Sequence, residues 1–144
     1  MGRKGTSLDY LDSMRRDVYE KYKAVVAQGV ASEKEAFEKT QRMMAKRFWV
    51  SSEQAYKICM AIHHGKTEVF NKMPDYRIEM FKEIYNRFIE QRGRVMFRGK
   101  KPYFIIPYIV AQTAPRFYIS IDTIRKIVYQ QRKKRIELWK KIAR

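Results

Sequence analysis

Residues 122–135, DTIRKIVYQQRKKR, gather side chains that a nucleic acid can use. On a helix, Asp122, Thr123, Arg125, Lys126, Tyr129 and Gln130 would face away from the apolar positions Ile124 and Ile127. Arginine can hold the major-groove edge of guanine bidentately, glutamine can hold adenine, and threonine can touch the thymine methyl. Arg132, Lys133, Lys134 and Arg135 follow directly and suit phosphates. A solvated basic helix end carries the same residue types, so this stretch by itself decides between neither reading.

Two further clusters carry related chemistry. Arg92, Arg94, Arg98, Lys100 and Lys101 have no acid within their run, so they repel one another unless something neutralises them. With Phe97 and Tyr103 they suggest a wing-like arm for a phosphate backbone or a minor groove; the plainer reading is a soluble loop. Ser52, Glu53, Gln54, Tyr56 and Lys57 form the third outward set. It carries little positive charge and Glu53 opposes phosphate, so it is either a weak base reader or a packing or dimer surface.

The chain is strongly basic. Its 144 residues hold 32 Lys and Arg against 15 Asp and Glu, a net +17. Such a charge attracts polyanions. It is also uneven: residues 1–72 hold 14 basic and 9 acidic side chains, and residues 73–144 hold 18 and 6. A hydrophobic share of 45% provides for a core, and six Gly and four Pro are too few for an all-β chain of tight turns.

Elements must position these clusters, and helical spacing recurs throughout. Leu11, Met14, Val18, Tyr22 and Val25 mark a helix over 8–28, capped by Thr6 or Ser7 and stopped at Gly29. Ser32 with Glu35 is a capping box that opens a second helix through 33–48, with Phe37, Met43 or Met44, and Phe48 on its apolar side. Ser51 with Gln54 opens a third, burying Ala55, Ile58, Cys59 and Ile62 and ending before Gly65. The pattern then restarts. Asp75 opens a helix with Ile78, Phe81, Ile84 or Tyr85, and Phe88 inside, stopped by Gly93. Residues 95–106 predict a loop or short β-ribbon. Pro107 is placed as the first residue of the next helix, which Pro115 ends at about Ala114. Ser120 caps a long last helix.

The restart is a repeat. RFWVSSEQAYKI at 47–58 and RFYISIDTIRKI at 116–127 lie 69 positions apart and are identical at five of twelve positions. Trp49/Tyr118, Val50/Ile119 and Glu53/Asp122 are conservative pairs. The opening helices align at an offset of 66, pairing Asp9 with Asp75, Met14 with Met80, Asp17 with Glu83, Val18 with Ile84 and Tyr19 with Tyr85. The expectation is an all-α duplication of a three-helix unit, one copy over 1–72 and a more basic one over 73–144.

Each copy ends in a helix, a short turn and a Ser-capped helix. This resembles the helix-turn-helix of DNA-binding proteins. Ala45, Val50, Ser51, Ala55 and Ile58 match its small, turn-closing, capping and core positions, as do Ala114, Ile119, Ser120, Ile124 and Ile127. The resemblance covers about 22 residues per copy. It implies that the second helix of each copy lies in a major groove. Trp49 and Tyr118 stand where the family often has Gly, so the turn must be built differently. The general look is similar to small phage or mobile-element proteins, including small terminase subunits and transposase-type DNA-binding domains.

The expected function is therefore duplex DNA binding without catalysis, as a regulator (of transcription, for example) or accessory factor of a phage or mobile element, with RNA a lesser partner. The rival is a structural or packaging nucleoprotein, terminase-like or virion-associated, that neutralises nucleic acid without reading bases. No Gly-rich phosphate loop, H-E-x-x-H or G-x-S-x-G occurs. Cys59, His63 and His64 make a poor zinc set, and Cys59 falls on the buried stripe. No cofactor is implied. One cysteine excludes an internal disulfide. No apolar run is long enough for a membrane, and no secretory leader is read, so the expected place is the cytoplasm, on the nucleoid or in a host cell. Ile136, Trp139 and Ile142 form a candidate homo-oligomer stripe, since Trp139 must pack on this chain or another.

Overall fold

A computed structural model of the chain describes the backbone of residues 2–143 and the side chains of residues 10–143. It is all-α. Six helices follow in order: α1 (Gly2–Ala27), α2 (Glu33–Arg42), α3 (Ser52–His63), α4 (Asp75–Arg92), α5 (Pro102–Val110) and α6 (Ile121–Ala143). Short 3₁₀ turns lie at Thr67–Phe70 and Val95–Phe97, and no strand forms among the described residues.

Local chemistry sets most of the boundaries. Ser32 caps α2, accepting from the Glu35 amide at 3.2 Å, while the Glu35 carboxylate accepts from the Ala31 amide at 2.7 Å. That backbone donor holds Glu35 below the usual carboxylate range, with Lys39 adding to it. Ser51 and Ser120 cap α3 and α6 in the same way, each accepting at 3.1 Å from the amide three residues on. Gly29, just after the end of α1, has a φ of 89°, a left-handed conformation that a side chain would strain.

Five boundaries differ from the sequence reading; one is the end of the fifth helix, which stops at Val110 and not at about Ala114, leaving 111–114 in a connector. The first helix begins at Gly2, so Thr6 and Ser7 stand inside it. The second stops at Arg42, leaving Met43, Met44 and Ala45 in a connector. The fifth begins at Pro102, where a missing N–H is harmless, so Pro107 lies inside it instead of at its start. Pro107 leaves the Tyr103 carbonyl without a helical donor, which is tolerated because that turn faces solvent. Finally, residues 95–101 form the 3₁₀ turn and a left-handed Gly99, not a β-ribbon.

The larger difference is how the helices assort. The chain forms two compact units, one of Met1–Ala45 with Pro115–Arg144 and one of Lys46–Ala114. They cut across the halves 1–72 and 73–144. In the discontinuous unit α6 packs on α1 and α2; in the continuous unit α3 packs on α4 and α5. Each pair of opening helices thus takes its third helix from the other copy of the repeat.

The two units are built alike. Val18 and Tyr22 in α1, and Ile84 and Phe88 in α4, occupy matching buried positions. Lys21 pairs with Asp17 and Arg87 with Glu83, both at 2.8 Å. In the discontinuous unit the Phe117 amide donates to the Gln41 carbonyl; in the continuous unit Phe48 donates to Val110, the corresponding pair. Arg116 lies over Tyr118, and Arg47 over Trp49, each 5.4 Å from the ring centroid.

Size complementarity accounts for the exchange. At equivalent positions α2 buries Ala36, Phe37 and Thr40, where α5 buries Ile105, Ile106 and Ile109. The lean α2 receives the large face of α6, with Ile124, Ile127 and Val128. The bulky α5 receives the lean face of α3, with Ala55, Ile58 and Cys59. The uncrossed pairing would leave a void in one unit and overpack the other, both of which destabilise a core.

Candidate nucleic-acid interface

The charge belongs to both units. The discontinuous unit holds 19 basic and 9 acidic residues, and the continuous unit 13 and 6. The excess of the second half is therefore shared out once α6 joins α1 and α2.

The first three turns of α6 are anchored by Ile124, Ile127 and Val128. From Arg132 to Ala143 every residue is exposed. That stretch carries Arg132, Lys133, Lys134, Arg135, Lys140 and Lys141 against the one acid Glu137. Lys133, Lys134, Lys140 and Lys141 have no ion partner among the described residues. Ile136, Leu138, Trp139 and Ile142 are exposed beside them, Trp139 at 71%, so Trp139 does not find its packing on the described part of this chain.

The base-reading candidates on α6 are less free. Asp122 accepts hydrogen bonds from Arg125 and, at 3.1 Å, from Lys126. The Lys126 hydrogen bond is the main cause that holds the Asp122 carboxyl below its ordinary range. Thr123 has its hydroxyl 2.8 Å from that of Ser120, and so belongs to the cap. Tyr129 stands edge-on to Phe37, and Gln130 is exposed.

Two of the expected phosphate cations brace the unit. Arg132 lies over the rings of Tyr22 and Tyr129, donates to the Tyr22 hydroxyl and reaches Glu33 at 3.4 Å. Burial raises the Tyr22 hydroxyl above its usual range, and the Arg132 charge opposes that shift. Arg135 lies over Tyr19 at 5.1 Å.

The remaining candidates meet in the continuous unit. Ser52, Gln54, Tyr56 and Lys57 are on α3, and Arg94, Arg98, Lys100 and Lys101 are on the segment leading to α5. The sequence reading assigned these to different copies; the structure packs them together, with Tyr56 edge-on to Tyr103 at 5.9 Å. Arg94 pairs with Glu90 at 3.2 Å, while Lys57, Arg98, Lys100 and Lys101 are exposed and without an ion partner among the described residues. Ser52, Gln54 and Tyr56 are half-buried.

Sequence reasoning placed Tyr103 on a wing-like arm but missed that it belongs to an exposed group on α5 with Phe104 and Tyr108. Extending the 69-residue offset upstream finds them, because Lys34, Glu35 and Lys39 stand at their positions in α2.

Cys59 is fully buried, and burial pushes its thiol up to about 12. Among the described residues no group of three His, Cys, Asp or Glu is placed to hold a metal ion, and no helix is long and apolar enough to cross a membrane. No protein family, no curated protein and no solved structure matches the chain.

Proposed function

We propose that the chain binds duplex DNA through α6, with α3 as a second, weaker helix of the same type. The observation that carries this reading is the exposed stretch of α6, in which six cations face one acid. Lys133, Lys134, Lys140 and Lys141 stand round the helix beyond the two braced arginines, and the release of condensed counterions on meeting phosphates drives binding. The Ser120-capped start of α6 then supplies Arg125, Lys126 and Gln130 for base edges. In this reading the helix-turn-helix is assembled across the repeat: α2 and α6 form one motif, α5 and α3 the other. The role is that of a regulator or accessory factor acting on DNA, and Trp139 with Ile136 and Ile142 joins copies into an oligomer.

A second reading is favoured by one contact. Arg125 and Lys126 are both occupied by Asp122, so their charge is partly spent before any base is met. That suits a structural or packaging nucleoprotein that neutralises DNA without reading it.

Selection from random duplex DNA, with sequencing of the bound pool at two salt concentrations, separates them. Contact with 6–10 phosphates loses roughly 10³–10⁵ in affinity between 50 and 200 mM salt. A motif that persists at the higher salt supports base readout. Steep loss with no motif supports the packaging reading. Arg125→Glu with Lys126→Glu removes the motif in the first case; a double variant that binds like the parent would refute the role of the α6 start.

A further inference from the structure

α5 is apolar on every side, PYFIIPYIV, without a charged residue. A helix of that kind is normally buried all round. Here Ile105, Ile106, Ile109 and Val110 are buried, while Tyr103, Phe104 and Tyr108 are exposed at 62%, 65% and 46%, with Pro107 and Ala111 exposed between and after them. The chain contains its own control. α2 occupies the same place in the other unit and buries the same three positions, yet its solvent-facing residues are Lys34, Glu35, Glu38, Lys39 and Arg42. Folding therefore does not require the aromatic face; one copy of the repeat has it and the other folds with charges.

The surroundings say what the face is suited to. Arg98, Lys100 and Lys101 precede it and Lys57 lies on the adjoining α3, all exposed and without an ion partner among the described residues. The neighbouring acid Glu90 is taken up by Arg94. Ring contacts fix the exposed side chains: Tyr103 meets Tyr56 and Phe104 at 5.9 and 6.0 Å, and Tyr108 meets Phe97 at 5.1 Å. Flat rings at helical spacing, edged by free cations, match a strand whose bases are unstacked and whose phosphates are accessible. A duplex hides its base faces. A second copy would bring the same cations against their counterparts, and an aliphatic protein groove has no charge to match them.

We infer that the α5 face of the continuous unit binds single-stranded DNA, stacking unpaired bases on Tyr103, Phe104 and Tyr108 while Arg98, Lys100 and Lys101 hold the phosphates. The site is separate from α6 and does not depend on duplex binding by that helix. DNA is the strand committed to, in keeping with the polymer proposed for α6, and oligo-U separates RNA from it.

The test uses the full chain and fluorescein-labelled oligo-dT of about 20 nucleotides, longer than a single stacking platform covers, with oligo-U and a mixed-sequence duplex in parallel. Tyr103→Lys, Phe104→Glu and Tyr108→Lys together install the residues that α2 carries at these positions and add one positive charge. Each base–aromatic stack is worth roughly fivefold to 150-fold. Loss of all three should therefore weaken oligo-dT binding by at least about 125-fold, although the net charge has risen, with duplex binding not weakened. The triple leucine variant at the same positions guards against misfolding: it keeps the apolar surface, and it should lose oligo-dT as well. Parent-like oligo-dT binding by either variant with an unchanged melting curve would overturn the proposal. So would tighter binding of oligo-U than oligo-dT, no oligo-dT binding by the parent, or loss of self-association as the variants' sole effect.

Discussion

Exchange of the third helices predicts which pieces of the chain are stable. Residues 46–114 contain α3, α4 and α5, so the fragment keeps every helix of the continuous unit. The halves 1–72 and 73–144 do not. To close on itself, 1–72 must seat α3 on α1 and α2, placing Ala55 where Ile124 belongs. An isoleucine-to-alanine change in a core costs about 2–5 kcal/mol. In 73–144, Ile124 would fall where Ala55 sits against the isoleucines of α5, and overpacking costs about 1–3 kcal/mol. A unit of this size has roughly 4–10 kcal/mol of stability at 0.05–0.15 kcal/mol per residue, so the first loss is a large share of the whole. Each kcal/mol moves the melting temperature of such a domain by about 4–8 °C. Far-ultraviolet circular dichroism on the three purified fragments measures this. Fragment 46–114 should melt cooperatively. Fragment 1–72 should melt at least roughly 8 °C lower, or without a transition, and 73–144 should fall between them. An equimolar mixture of the halves should recover the full chain's helical signal. If 1–72 alone melts cooperatively at or above the temperature of 46–114, size matching does not drive the exchange.

Three other outcomes follow. Ile124→Asp buries an unpaired charge and should unfold the unit built on α1 and α2 while amide exchange in 46–114 stays protected, although Ile124 belongs to the second half of the sequence. Asp122→Asn should release Arg125 and Lys126, tightening duplex binding several-fold in a fluorescence anisotropy titration at low salt, and should slightly lower the melting temperature because an acid leaves the first turn of α6; weaker binding would mean that Asp122 orients those side chains instead of occupying them. The Cys59 thiol, raised to about 12 in the fold from 9.0, should resist a thiol reagent at pH 8 until denaturant is added, and its contribution to stability, complete below pH 9.0, should be lost as pH rises toward 12. Labelling of the native chain as fast as the unfolded one would contradict its burial.

The helices and their caps were legible because they are local. Ser32, Ser51 and Ser120 each place an acceptor three residues before a free amide, and Gly29 and Gly65 supply left-handed stops. The buried stripes were legible through spacing except at their ends, where Leu11 is exposed and Ile62 and Ile78 are half-buried. Partner choice was not, because it rests on comparing faces between helices that are distant in sequence. Nothing along 47–58 says that Ala55 packs in a different unit from Ala36. The placement of Pro107 failed for a related reason: two prolines compete for the start of one helix, and solvent exposure of the Tyr103 turn decides between them. The candidate residues of α6 were legible as types, but Arg132 and Arg135 look like phosphate ligands until Tyr22 and Tyr19 are seen beneath them.

The connectors explain why a motif that resembles a helix-turn-helix lacks the glycine of its turn. A tight turn between α2 and α3, or between α5 and α6, would need a left-handed residue. The described chain has positive φ only at Gly29, Gly65 and Gly99, none of them in those connectors. Instead Arg47 donates to the carbonyls of Phe48 and Val50 and covers Trp49; Arg116 donates to that of Phe117 and covers Tyr118. These contacts order each connector, whose backbone bends at 46, 47 and 50 and at 115, 116 and 119, and shield its aromatic ring with a guanidinium. The residue that departs from the motif is the one that each arginine covers. Trp49→Gly with Tyr118→Gly should loosen both connectors and, combined with Ala55→Ile and Ile124→Ala, should favour closure within each half. In that variant 1–72 would become the fragment that folds alone. If it gains no cooperative transition, the connectors and the core faces do not together determine how the helices assort.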